Sequence, residues 1–315
     1  MRNPDYDAGR AEPHVHAEHA TLRVVPARYP WRLVGALFAL FIIAGIVQSV
    51  ATNPRWEWNV FAQWFFDPAI LSGLGKTLLL TLFGTLFGSV LGTGLALARL
   101  SKSWLLKTLA WAYIWLFRSL PLLLVLIILY NFSYLYDSLS LGIPFTSLVF
   151  FTHSTTDLLD QFSVAVLGLS LVQAAYTAEI IRGGIAGVDP GQHEAAAALG
   201  LPPHRRTFRI ILPQALRAIL PTGFNEVISL AKGTSIVYVL SMPELFYTVQ
   251  VIYNRTQQVI PLLMVASIWY LLITTVLSVL QHYVERYFSR GVVRQVRPAR
   301  FPFFRRAVPN AEGES

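Results

Sequence analysis

Long blocks of apolar residues, separated by short polar stretches, organise this chain from residue 33 onward. A helix crossing a hydrocarbon core of about 30 Å needs roughly 20 apolar residues. Three uncharged blocks meet that length: Leu33 to Ala51, Thr77 to Ala98 and Val259 to Gln281. Three more meet it with polar interruptions. Trp104 to Asn131 contains Arg118, Phe162 to Ile181 contains Glu179, and Ala218 to Met242 contains Glu226 and Lys232. The pattern predicts an all-α polytopic membrane protein with about six transmembrane helices. The run from Leu141 to Phe151 is too short to cross and holds Gly142 and Pro144, so it is assigned to a loop.

Composition agrees. Of 315 residues, 54% are hydrophobic and 13% charged, against about 25% charged in a soluble domain; the mean hydropathy is +0.52. There are no cysteines, which excludes disulfides and thiolate metal sites. The net charge of +8 does not point to nucleic acid, because the basic residues flank apolar spans instead of sharing a soluble face with aromatics.

Those basic residues set the orientation. Arg2, Arg10, Arg23, Arg28 and Arg32 precede the first span; Arg99, Lys102 and Lys107 lie between the second and third. Arg182, Arg205, Arg206, Arg209 and Arg217 lie between the fourth and fifth, and seven arginines from Arg286 to Arg306 follow the last. The opposite loops carry only Arg55, Lys76 and Arg255. Cytoplasmic loops accumulate Lys and Arg, so both termini are expected in the cytoplasm. Residues 1–30 read as a disordered cytoplasmic tail, 31–51 as an extra N-terminal span, and 288–315 as a basic cytoplasmic tail. The alternative for the first span is a signal peptide, since Ser49 and Ala51 imitate a cleavage site. Its apolar run exceeds the usual ~7–15 residues, and cleavage would leave five spans in the same orientation.

The loop between spans four and five contains an isolated helix. Asp189-Pro190-Gly191-Gln192 is a start signature: Asp caps, Pro suits the first helical position, and Gln completes a capping box. Glu194 to Leu199 is rich in alanine, Gly200 supplies a left-handed end, and Pro202 and Pro203 stop continuation. So short a helix is marginal in water alone. Its small side chains either fit another protein's groove or belong to an ordinary loop helix. A second helix begins near Pro203, with Phe208, Ile211, Leu212, Ala215, Leu216 and Ile219 at helical spacing.

Glu194-Ala195-Ala196, then Gly200, Ile210 and Leu212-Pro213 at their spacing, resemble the EAA loop of binding-protein-dependent ABC importer permeases. The resemblance extends over roughly 71–287, the expected permease domain with a five-span core. Gly73 to Leu80, Phe117 to Leu123, Ala178 to Gly184, Asn225-Glu226 and Lys232 to Ser235 are similar to the polar amino acid branch, of histidine, glutamine and arginine permease type. The resemblance implies a pore subunit in the bacterial inner membrane that is not itself an enzyme, with ATP and Mg held by partner ATPase subunits. It also implies a periplasmic solute-binding protein and a second permease copy or paralogue around one pore. In that family the EAA helix is the coupling helix, so Glu194, Ala195, Ala196, Gly200, Ile210, Leu212 and Pro213 become the ATPase-coupling set. The first span and the loop from Tyr134 to Gln161 exceed the family's core.

Polar residues inside spans are costly, about 2.5–3.5 kcal/mol for a charge at the centre on insertion scales, and each is a functional candidate. Asn225, Glu226, Lys232, Thr234 and Ser235 are expected either to line a translocation path or to form a buried network; Gly223 and Gly233 are positioned to loosen the backbone. Arg118 either joins that path or snorkels to the inner interface. Glu179 is placed for a local pair with Arg182, three residues on. Gly84, Gly88 and Gly92 form a close-packing stripe, within the chain or between copies.

Two other features carry no chemistry. Gly75-Lys76-Thr77 imitates the end of a phosphate loop, but Ile70 stands where the first glycine belongs and no strand precedes it. His14, His16 and His19 lack a fourth ligand, so no metal site is expected. The competing function is an ion-coupled secondary transporter using Glu179, Glu226 or Lys232, which calls for an inverted repeat that the sequence does not display. A membrane scaffold or sensor without transport is the other alternative.

Overall fold

The structure, a computed structural model, describes residues 30–288 except 144, 145 and 147. Both tails, with the histidine cluster at 14–19 and the arginines beyond residue 288, lie outside the described residues.

The chain divides into two units at Trp56/Glu57. The first holds α1 (Pro30–Thr52) and a 3₁₀ turn, Pro54–Trp56. Large apolar side chains such as Leu37, Phe41 and Ile43 are exposed along α1, the character of a helix solvated by lipid.

The second unit begins with α2 (Trp58–Phe65) and α3 (Pro68–Leu100). α3 starts where Asp67 accepts a hydrogen bond from the Ala69 amide at 2.8 Å and Pro68 takes the first helical position. Next come α4 (Trp104–Ser119), α5 (Leu122–Tyr130), the single turn α6 (Phe132–Leu135), strands β1 (Ser138–Gly142) and β2 (Val149–Ser154), and the turn α7 (Thr155–Leu158). The long α8 (Gln161–Ala186) is capped by Asp160, which accepts from the Ser163 amide at 2.8 Å. After it stand α9 (Pro190–Ala198) and α10 (Pro203–Arg206), whose π turn, Thr207–Ile211, feeds α11 (Leu212–Gly233). A 3₁₀ segment, Thr234–Leu240, then leads to α12 (Leu245–Thr256) and α13 (Val259–Phe288).

Four helices, α1, α3, α8 and α13, are long and apolar enough to cross a membrane, and the number reaches six if each of two broken pairs counts as one span. The expected third span, Trp104 to Asn131, is two helices, α4 and α5, bent by 102° at Leu120-Pro121. Pro121 has no N–H to continue the helix, and its ring displaces Leu120 from helical geometry. Nine residues of α5 rise only about 14 Å, less than a bilayer core. The fifth span is also broken. The α-helix ends at Gly233, as the sequence suggests, while it runs through Gly223; the chain then bends by 50° before α12. The 141–151 loop is a two-stranded antiparallel hairpin, the one departure from all-α architecture among the described residues.

The stripe on α3 is packed within the chain. A Cβ added at Gly88 would stand 2.6 Å from Gln173 Cβ, and one at Gly92 2.7 Å from the Ala174 carbonyl oxygen, so α3 meets the backbone of α8 directly. Above this seam Leu80, Leu126, Val164, Leu169, Leu230 and Val237 form one core. A second core joins Ile70, Leu245, Val249, Leu262 and Val265, with Trp269 stacked on Phe65 at 4.9 Å.

Candidate functional site

Two regions gather the polar residues singled out by sequence. The first is α9. Asp189 caps it by accepting from the Gly191 amide at 2.7 Å. The expected capping box does not close: Gln192 reaches instead to Gln214 on α11, whose Nε2 donates to Gln192 Oε1 at 3.3 Å. The far end is a left-handed stop. Gly200 has φ +65°, its N–H donates to the Ala197 carbonyl and the Leu201 N–H donates to the Ala196 carbonyl. That double bond pattern is the Schellman motif, and it satisfies two carbonyls that would otherwise be orphaned. The helix lies with Ala196 buried and with Glu194, Ala195, Leu199 and Gly200 exposed; Leu199 is 76% exposed. Val188, Ile211 and Ala215 pack with Ile185, Ile210 and Ile219 where α8, the π turn and α11 meet, and α9 lies against that π turn. Leu212 and Pro213 line a neighbouring groove of about 540 Å³ with Phe208 and Tyr287.

The second region is a cavity of about 570 Å³ at the break between α4 and α5. Arg118, Ser119, Gln173, Tyr176, Glu226 and Ser229 are its polar lining. Glu179 stands beside it, bound in bidentate fashion by Arg182 (2.8 and 3.1 Å), with Arg118 Nη1 at 3.9 Å from the same carboxylate. The Arg118 guanidinium also lies over the Tyr176 ring at 5.6 Å. The local Glu179–Arg182 pair expected from the sequence is therefore part of a three-residue cluster joining α4 to α8. Glu226 accepts no hydrogen bond from any described residue and faces the cavity.

The other members of the sequence set stand apart from this cavity. Asn225 accepts from Gln281 Nε2 at 3.1 Å, tying α11 to α13. Thr234 and Ser235 donate to carbonyls of their own helix end, those of Ala231 and Lys232. Lys232 is exposed and has no ion pair among the described residues.

Two polar features escape the sequence pattern. Glu244, fully buried, caps α12 by accepting from the Phe246 and Tyr247 amides at 2.9 and 2.7 Å. It also accepts from the hydroxyls of Thr77 on α3 (3.3 Å) and Tyr270 on α13 (3.1 Å). A larger cavity, about 1330 Å³, opens at the end of α5, the start of α8 and the first turns of α3; Lys76, Tyr130, Asn131, Asp137, Asp160 and Gln161 contribute to its wall. Among the described residues no cluster of three or more His, Asp or Glu is disposed to hold a metal ion.

Comparison with known proteins follows the same outline. Over 299 residues the chain is 35% identical to the arginine transport system permease protein ArgU of Corynebacterium glutamicum, covering 94% of this chain and 91% of that one. It is 36% identical over 220 residues to the glutamate/aspartate import permease protein GltK of Escherichia coli, covering 70% and 93%. Among solved structures, a chain of an amino acid ABC transporter crystallised with histidines superposes with a TM-score of 0.61 at 32% identity, covering 72% of this chain and 97% of that one. The profile of the binding-protein-dependent transport system inner membrane component matches residues 84–290. With its broken spans, short capped loop helix and intramembrane polar cavity, the chain belongs to that family of inner-membrane transport components.

Proposed function

We propose that this chain is one pore-forming half of an ATP-driven importer of polar amino acids, in which α9 is the coupling helix. The observation that carries the reading is the form of α9: a helix closed at both ends, exposed through Glu194, Ala195 and Leu199, and seated on the π turn that leads into α11. A rigid, self-terminated segment of this kind transmits a push without bending, and its contact with the π turn carries it into the fifth span. Partner ATPases hold ATP and Mg, and their closure drives two such helices together. Both termini and α9 then face the cytoplasm, in keeping with the basic loops. The 1330 Å³ cavity, at the opposite end of α8, is the mouth that receives solute from a binding protein. A second copy or a paralogue completes the pore. The amino acid assignment is supported by what ArgU and GltK are named for, and these differ in substrate charge, so the class is drawn no narrower. Of the sequence set, Arg118, Glu179 and Glu226 are assigned to the path, while Asn225, Thr234 and Ser235 serve helix contacts.

The test uses vesicles reconstituted with the permease, ATPase and binding protein. Gly200→Asp alters the left-handed terminus of α9 without touching a span, since nothing lies within 4 Å of a Cβ placed there. Insertion and ATPase association are expected to persist, while hydrolysis continues with uptake reduced at least several-fold. Normal coupling in this variant would remove α9 from the role. Uptake that survives loss of the ATPase but collapses with the proton gradient would favour an ion-coupled carrier.

A further inference from the structure

The β1–β2 hairpin has two chemically distinct faces. Antiparallel partners share a face and alternate along each strand. Ser138 pairs with Ser154 and Ser140 with Thr152, the latter through a 2.9 Å hydroxyl hydrogen bond, giving one polar row. Leu139 pairs with His153 and Leu141 with Phe151, giving a row on the other face that is apolar except for His153. Leu141 is 61% exposed and Phe151 58%, while Leu139 is half-buried, so the rest of the chain leaves the tip half of this row uncovered. At the tip, past the irregularity between Leu141 and Gly142, Ile143, Leu148 and Phe150 are exposed too.

We propose that this hairpin lies flat on the outer leaflet of the bilayer, apolar row down, as an interfacial anchor. Three observations select a lipid surface over a protein. No Asp, Glu, Lys or Arg occurs from residue 138 to 156, so seating the hairpin on lipid desolvates no formal charge. The hairpin is tethered at both ends to membrane-embedded helices, seven residues past the end of α5 and six before α8. Tyr134 and Tyr136, exposed just before the hairpin, suit the headgroup boundary. A two-stranded hairpin is also marginal by itself in water and needs a surface to rest on. Depth is bounded from the other side: both strands have open edges, and unpaired backbone groups do not enter the hydrocarbon core. The anchor therefore sits at headgroup level, beside Asp137 on the wall of the 1330 Å³ cavity, and fixes the orientation of that wall.

The inference does not depend on transport and is tested without it. The chain has no cysteine, so single substitutions report cleanly. Leu141→Cys and Phe151→Cys probe the apolar row from different strands; Ser140→Cys and Thr152→Cys probe the polar row. In full-length protein in phosphatidylcholine/phosphatidylglycerol nanodiscs, a membrane-impermeant maleimide should react several-fold more slowly at 141 and 151 than at 140 and 152. A fluorophore at 151 should be quenched by headgroup-labelled spin lipid more than by lipid labelled at the chain end. Equal reactivity in both rows overturns the proposal. So does slow reaction at 141 and 151 that appears only after a solute-binding protein is added, or crosslinking of those positions to a second copy.

Discussion

Two glutamates within the permease core teach opposite lessons. Glu244 is fully buried and accepts four hydrogen bonds, from two amides and two hydroxyls on three helices. Glu226 is half-buried, faces a cavity and accepts none from the described residues. Insertion of either costs similar free energy. Glu244 offsets that cost by completing every group around it, which makes it a tie between α3, α12 and α13. Glu226 leaves its capacity open toward the cavity. Saturation fits a structural tie; the unspent capacity of Glu226 is what its proposed place on the path rests on.

That contrast breaks most readily at Glu244. Glu244→Ala leaves two amides and two hydroxyls without an acceptor; at about 1–3 kcal/mol for each buried unsatisfied group, partly relieved by relaxation, a loss of about 3 kcal/mol is expected. Thermal unfolding of the purified protein in detergent reads it directly. An unchanged midpoint with lost uptake would move Glu244 to the functional side. Thr77→Val is a smaller lesion in the same knot. It removes one donor to Glu244 and the acceptor for the Leu245 amide, and about 1 kcal/mol is expected by the same measurement. A double-mutant cycle on Glu179→Ala and Arg182→Ala should give a coupling of only about 0.3–0.5 kcal/mol, because the Arg182 side chain is 39% exposed and the pair lies on one helix. Glu226→Gln should change stability least, within about 0.5 kcal/mol, while uptake by reconstituted vesicles falls several-fold. Full uptake in that variant would erase the distinction between the two glutamates.

The apolar helices and the form of α9 were legible because their causes are local. Apolar length declares a crossing, and Asp189-Pro190 with Gly200 declares a short helix whatever surrounds it. The bend at Pro121 was less visible, since apolar length does not register direction and the run continues across the break. The hairpin was masked by Gly142 and Pro144, although Ser138-Leu-Ser-Leu141 alternates with the period of a strand. Glu244 had no local signal at all. Its burial depends on Thr77, 167 residues earlier, and on Tyr270, 26 later. The Arg118–Glu179 approach is likewise tertiary; only the neighbouring Glu179–Arg182 spacing could be read along the chain.

The glycine seam between α3 and α8 has a mechanical corollary. With carbonyls and side-chain stems of α8 filling the space where Cβ atoms would stand on α3, neither helix slides past the other without collision. The pair must travel as a single strut during any switch of access. Flexure is then confined to the segments that flank it, the 102° elbow before α5 and the 50° joint before α12.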